Sequence, residues 1–120
     1  MGHLATVRPD GRPHLVPCCF ALEADTLFTA VDGKPKSTLA LQRLANLAAH
    51  PTASLLVDHY DDEWDDLWWV RVDGVARIVD VDADRTAALE RLATRYRQYR
   101  RQPPPGPVVA IDITGWTAWP

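Results

Sequence analysis

Six short apolar runs, rich in β-branched and aromatic residues and separated by turn residues, occupy most of this 120-residue chain. Runs of this length and spacing predict strands rather than helices. A chain of this size builds one core. We therefore expect a single domain over residues 1–120 that is mainly β.

The first two runs flank Asp10-Gly11, a dipeptide typical of hairpin turns, so the first two strands are expected to be antiparallel neighbours. A polar turn at residues 23–25 leads to a third strand at residues 26–31. The sequence thus predicts that the chain begins as a three-stranded meander.

Two later segments change to helical spacing. One runs from the candidate caps Ser37 and Thr38 to Pro51, and the other, an arginine-rich segment, ends before "PPPG". Further strands are expected at residues 53–58, 67–80 and 107–114, with a bulge or bend at Asp73-Gly74. Closing the sheet would remove its edges. The prediction is an α+β, six-stranded antiparallel barrel with two flanking helices.

Composition excludes several classes of function. The net charge of −3 gives no general attraction to nucleic acid. The chain has no apolar run of about 20 residues, as a membrane span requires. Its first residues run directly into strand-like sequence and are not expected to act as a signal peptide. We expect a protein of the cytoplasm. The second helix alternates arginine with tyrosine, which suggests RNA, but Leu92, Tyr96 and Tyr99 share one helical face and are expected to pack on the sheet.

Neither a metal site nor a side-chain nucleophile is predicted. Cys18 and Cys19 are adjacent, a spacing that matches no zinc or redox motif. The four histidines lie in separate elements. The acidic loop, "DHYDDEWDD", lacks the alternation and the glycine of a calcium loop.

Lys34, Lys36, Ser37 and Thr38 precede the first helix, where free N–H groups and two lysines would hold a phosphate. The nucleotide P-loop would require a glycine where Phe28 stands and a hydroxyl residue directly after Lys34, so that motif is excluded. From the residues alone, an anion site and an ordinary exposed loop with a helix cap are equally good interpretations.

Three stretches together carry a family resemblance: "LATVRPDGRPHLVP", "DGKPK" with the following "LxRLxN", and "LLVDHYDDEWxxLWWVRVDGxARI". They resemble the pyridoxamine-phosphate-oxidase-like split β-barrel family. Within it, they are most similar to small oxidoreductases that use the deazaflavin coenzyme F(420) in place of FMN. The resemblance implies an FMN-binding type of split barrel and a homodimer with the coenzyme at its interface. Most members carry a helix before the first strand, whereas this sequence begins almost inside that strand, through truncation or through lack of part of the lid.

The same resemblance implies roles for individual residues. The phosphate would be held by Lys34, Lys36, Ser37 and Thr38. The backbone of Val16, Pro17 and Cys18 would line the coenzyme ring. Arg43 and Asn46 are weaker candidates for the phosphate or the tail. Trp68 and Trp69 either contact the coenzyme held by the partner chain or pack in the core or the dimer interface. Arg100 or Arg101 would meet the acidic tail of the coenzyme.

The function implied is hydride transfer from the reduced deazaflavin to an unsaturated small molecule. Because the coenzyme carries the chemistry, no catalytic side chain is required. Two alternatives stay open: an FMN-dependent oxidase or reductase, and a non-enzymatic flavin- or haem-binding module.

Overall fold

Seven antiparallel strands form one sheet in the computed structural model, which describes residues 1–30, 38–79, 82–104 and 107–120, with residues 38–41 described by their backbone alone. The strands are β1 (Gly2–Val7), β2 (Pro13–Cys18), β3 (Ala21–Glu23), β4 (Thr26–Ala30), β5 (Thr52–His59), β6 (Trp68–Val79) and β7 (Val108–Trp119). The helices are α1 (Thr38–Ala49), α2 (Asp82–Arg95) and α3 (Arg97–Arg101), and a 3-10 turn covers Trp64–Asp66.

The strand order shows that the sheet is curled. The order is β2-β1-β5-β6-β7-β4-β3, so β2 and β3 are its edges. Along the chain, Cys19 and Phe20 alone separate these two strands, and three residue steps span at most about 11 Å. A flat sheet of seven strands would hold its edges about 28 Å apart. The edges must therefore adjoin, although the described strand pairs include none between them. This arrangement confirms the split-barrel class.

Two local predictions are confirmed. The β1–β2 hairpin turns at Gly11, whose φ of 91° suits glycine and whose N–H donates to the carbonyl of Arg8 at 2.8 Å. The irregularity expected at Asp73-Gly74 is present as a shift in register between β6 and β7. Turn residues and an isolated strand glycine thus identified both features correctly.

The predicted three-stranded meander is wrong. β4 pairs with β3 and β7, not with β2. The segment after β2 contains a seventh strand, β3, which forms a tight hairpin with β4 through Ala24, whose φ is 52°. Cys19 and Phe20 carry the chain from one edge of the sheet to the other, and the Thr29 hydroxyl donates to the Cys19 carbonyl across this seam at 2.8 Å.

The number of helices also differs from the prediction, because the second helix is divided into α2 and α3. The backbone is extended at Tyr96, and the Tyr96 hydroxyl accepts a hydrogen bond from the N–H of Phe20 at 3.1 Å. The last strand is longer than predicted and reaches Trp119, because its end pairs with the start of β6 through Trp69.

The interior has two apolar clusters. Leu4, Leu55, Val72 and Ile111 lie in the first, inside the barrel. Leu92 belongs to the second cluster, between α2, α3 and the strands β3, β4 and β7. The apolar face predicted for the second helix is confirmed: Leu92 and Tyr99 are buried, with Leu89 and Tyr96 packed beside them.

Candidate functional site

The outer face, defined as the outward side chains of β2, β1, β5 and β6, carries the candidate site. Side chains alternate along a strand, and the inward row Leu4, Leu55 and Val72 is buried. The neighbouring outward positions His3, Leu56 and Arg71 are consecutive partners in the sheet. Burial of the inner row therefore fixes which side chains reach the outer face.

A cavity of about 460 Å³ opens on the outer face. Its lining is mostly apolar and aromatic and consists of His3, Ala5, Leu15, Ser54, Leu56, Asp58, His59, Tyr60, Leu67, Trp68, Trp69 and Arg71. The Trp68 ring stacks on His59, with centroids 6.2 Å apart. A cavity of this size and lining is typical of a site for an organic ligand or cofactor.

The structure thus brings Trp68 and Trp69 together at one cavity. Of the predicted β2 residues, Pro17 is the partner of His3 and lies on the same face. Val16 and Cys18 point the other way: Val16 packs on the barrel core and Cys18 is buried within it. Burial raises the pKa of the Cys18 thiol, so its side chain is a core residue, and only its backbone could meet a coenzyme.

A second group of polar residues lies where α1 packs against β1. Asn46 is fully buried, its amide N–H donates to the Thr6 hydroxyl at 3.0 Å, and its amide oxygen accepts from Gln42 at 2.7 Å. Thr6 is the strand partner of His14, which is also buried. The Asn46 side chain is therefore already engaged in holding α1 against β1.

Arg43 lies one turn before Asn46 on α1. Its Nε is buried without a hydrogen-bond partner in the described part of the chain, and the same is true of His14 Nδ1. Burial lowers the pKa of His14, and the positive charges of Arg8 and Arg43 lower it further. Because buried polar atoms are normally paired, the unpartnered Arg43 nitrogen is the described polar group best suited to an incoming anion.

The burial of His14 leads us to expect that the folded protein is less stable in acid. The pKa of His14 in the folded chain is below the ordinary value of 6.5. Below pH 6.5, the unfolded chain therefore binds a proton at His14 more readily than the folded chain does. The free energy of unfolding is expected to decrease as the pH falls through this range, and to decrease less in His14→Gln. Urea titrations of both proteins at several pH values measure the free energy of unfolding. An equal dependence of this free energy on pH in the two proteins would contradict the prediction.

Lys34, Lys36 and Ser37 lie outside the described residues, as does the side chain of Thr38. The anion site predicted from them stays a prediction. Its nearest described landmark is the start of α1 at Thr38.

The arginine-rich helical segment and the acidic loop both make hydrogen bonds within the chain. Arg100 donates to the carbonyls of Ala93 and Thr94 at 2.8 and 2.9 Å, so it caps the end of α2. In the acidic loop, Asp61 accepts from the N–H of Glu63 at 2.8 Å. Across the described ranges, no three His, Cys, Asp or Glu side chains are placed to hold a metal ion, and no helix is long and apolar enough to cross a membrane.

The sequence profile described as pyridoxamine 5'-phosphate oxidase matches residues 1–120. The chain belongs to the pyridoxamine 5'-phosphate oxidase family. Comparison with curated proteins matched none of them.

Solved structures of this family's split-barrel type are similar to the chain over nearly its whole length. A conserved hypothetical protein from Mycobacterium tuberculosis is 25% identical with a TM-score of 0.77, covering 98% of this chain and 75% of its own. An F(420) reductase is 27% identical with a TM-score of 0.70, covering 97% and 87%. The haem storage protein HutZ from Vibrio cholerae is 17% identical with a TM-score of 0.75, covering 97% and 83%, and shows the shared fold alone.

Sequence reasoning missed several residues of the cavity in this family member, among them His3, Leu15 and Leu56. Each lies at an outward position of a strand, which the alternating pattern could have indicated. Their proximity depends on the pairing of β1 with β5, which brings together residues as far apart in the chain as His3 and Leu56. No local pattern contains that information.

Proposed function

We propose that the chain is an oxidoreductase that binds the reduced deazaflavin coenzyme F(420) and reduces an unsaturated small molecule. The observation that carries the proposal is the cavity on the outer face, with Trp68 and Trp69 in its wall. Planar aromatic side chains and an apolar lining suit a planar ring system. The 27% identity to an F(420) reductase over 97% of the chain supports this coenzyme.

The polar residues suit the rest of such a coenzyme. Arg43 offers a buried Nε that has no hydrogen-bond partner among the described residues, and a guanidinium binds phosphate through charge-assisted hydrogen bonds. Lys34, Lys36, Ser37 and Thr38 are proposed to complete the phosphate site at the start of α1. The backbone of Val16, Pro17 and Cys18 is proposed to meet the polar edge of the ring.

The active form is proposed to be a homodimer. Leu15 lies on the outer face, and Trp68 lies in the wall of the cavity that opens there. Trp119, on β7, is the strand partner of Trp69. Of the surfaces of Leu15, Trp68 and Trp119, 68%, 42% and 46% are exposed. An apolar surface of this kind is typical of an interaction site. A second copy would cover it, so that the phosphate site of one chain and the tryptophans of the other enclose one coenzyme.

The coenzyme, when bound, supplies the hydride. The chain's own residues bind and orient the coenzyme, exclude water from the cavity and hold the substrate at contact distance. Hydride transfer of this kind requires no nucleophilic side chain.

Separate titrations with F(420), FMN and haem test the proposal. We expect F(420) to bind with a Kd of about 1 µM and FMN to bind at least about tenfold more weakly. Tighter binding of FMN would favour the FMN-dependent alternative, and binding of haem alone would contradict a redox coenzyme of flavin type.

A turnover assay then distinguishes an enzyme from a carrier. Reduced F(420) is mixed with the protein and a panel of enones, and its oxidation is followed by absorbance. Binding without turnover of any conjugated substrate would support a non-enzymatic flavin-binding module.

A further inference from the structure

His3 and Asp58 form a polar pair within the apolar cavity. His3 is the strand partner of Leu56, and Asp58 is two residues further along β5, a diagonal neighbour on the same face. The His3 Nδ1 and Asp58 Oδ1 atoms are 3.9 Å apart. Both side chains line the cavity, and each is about half exposed.

The reaction under the proposed function requires a second hydrogen. Reducing the C=C bond of an enone takes two electrons and two hydrogens. One hydrogen arrives as hydride at the β-carbon and breaks the π bond, which leaves an enolate. The enolate then needs a proton at its oxygen or its α-carbon, and the hydride donor is left oxidised. A group in the cavity that carries a proton near neutral pH would complete the balance.

We propose that His3 is this proton donor, that Asp58 is the residue that positions it, and that the substrate is a neutral, largely apolar conjugated carbonyl compound. The inference rests on the proposed function. The Asp58 carboxylate faces Nδ1, so it orients the ring, and Nε2 is the nitrogen left to donate. The apolar lining excludes a highly charged substrate.

The other ionisable groups in the cavity have different surroundings. His59 Nε2 is 3.6 Å from Asp61, and the His59 ring stacks on Trp68. Arg71 is hydrogen-bonded to Asp73 and Thr117. Tyr60 is 71% exposed. His3 is thus the described titratable side chain best placed to protonate a ligand in the cavity.

The first test uses the protein without coenzyme. 2,4-Dinitrophenolate is a planar anion that resembles an enolate, and its absorbance reports binding. We expect His3→Gln to bind it about tenfold more weakly than the natural chain at about pH 6, because one charge-assisted hydrogen bond is lost.

Control variants show whether the effect on dinitrophenolate binding depends on His3 and Asp58 in particular. His50 is half-buried at the end of α1 and lies outside the cavity lining, so His50→Gln should bind dinitrophenolate like the natural chain. Asp58→Asn should bind it more weakly, and Asp58→Glu should restore part of the affinity. Equal binding by the natural chain and His3→Gln would overturn the inference whatever the coenzyme is.

The second test uses reduced F(420) and an enone. At a saturating concentration of reduced F(420), His3→Gln should oxidise the coenzyme about 100-fold more slowly than the natural chain in the presence of the enone. Turnover at the natural rate would overturn the inference and leave the proposed function intact. If the natural chain takes up no F(420) while dinitrophenolate binding still depends on His3, the proposed function fails and the proton-donating site is supported.

Discussion

Replacing Lys34 and Lys36 together by glutamate is expected to weaken binding of the phosphate-bearing coenzyme by about 100-fold or more. Each charge-assisted hydrogen bond to a phosphate contributes about 1.5–3 kcal/mol, and about 1.4 kcal/mol corresponds to a tenfold change in Kd. Reversing both charges would also repel the phosphate at a helix start that otherwise attracts it. Equilibrium titration with F(420) measures the change.

The control changes the net charge by the same amount elsewhere. Arg12 and Arg97 are exposed, one in the first hairpin and one in α3, and Arg12→Glu with Arg97→Glu should leave the coenzyme Kd within about threefold of its natural value. If the lysine variant binds as tightly as this control, the phosphate does not lie at the start of α1. Such a result would overturn the proposed phosphate site and, with it, the proposed position of the coenzyme.

Replacing Gly74 by alanine is expected to destabilise the fold by about 3 kcal/mol or more. A Cβ at this position would collide with the carbonyl oxygen of Asp112 and would lie 2.8 Å from Cγ2 of Ile111. Both belong to β7 at the point where the register between β6 and β7 shifts. A backbone atom cannot move aside as the end of a flexible side chain can, so the strands would have to separate.

Gly115 provides a close control, because it lies on β7 as the partner of Asp73, next to Gly74. A Cβ at Gly115 meets nothing within 4 Å, so Gly115→Ala should change the free energy of unfolding by less than about 1 kcal/mol. Urea unfolding of the two variants measures both values. Equal destabilisation would show that the close approach at the bulge is not the cause.

The local elements were predictable because their signals are local. Asp10-Gly11 fixes the first hairpin, and the isolated Asp73-Gly74 marks the bulge. The helical face containing Leu92 and Tyr99 follows from spacing alone. Each of these patterns acts through backbone preference or periodicity over a few residues, which a sequence displays directly.

The sequence by itself thus determined the class of the fold, its first hairpin turn, the bulge and the two helical regions. Tertiary structure alone decided that β4 pairs with β3 and β7, that Asn46 is engaged with Thr6, and that His3 meets Asp58 beside the two tryptophans. The physical reason is that strand pairing between distant segments depends on how the whole core closes. A cavity assembled from four strands therefore has no signature in any one of them.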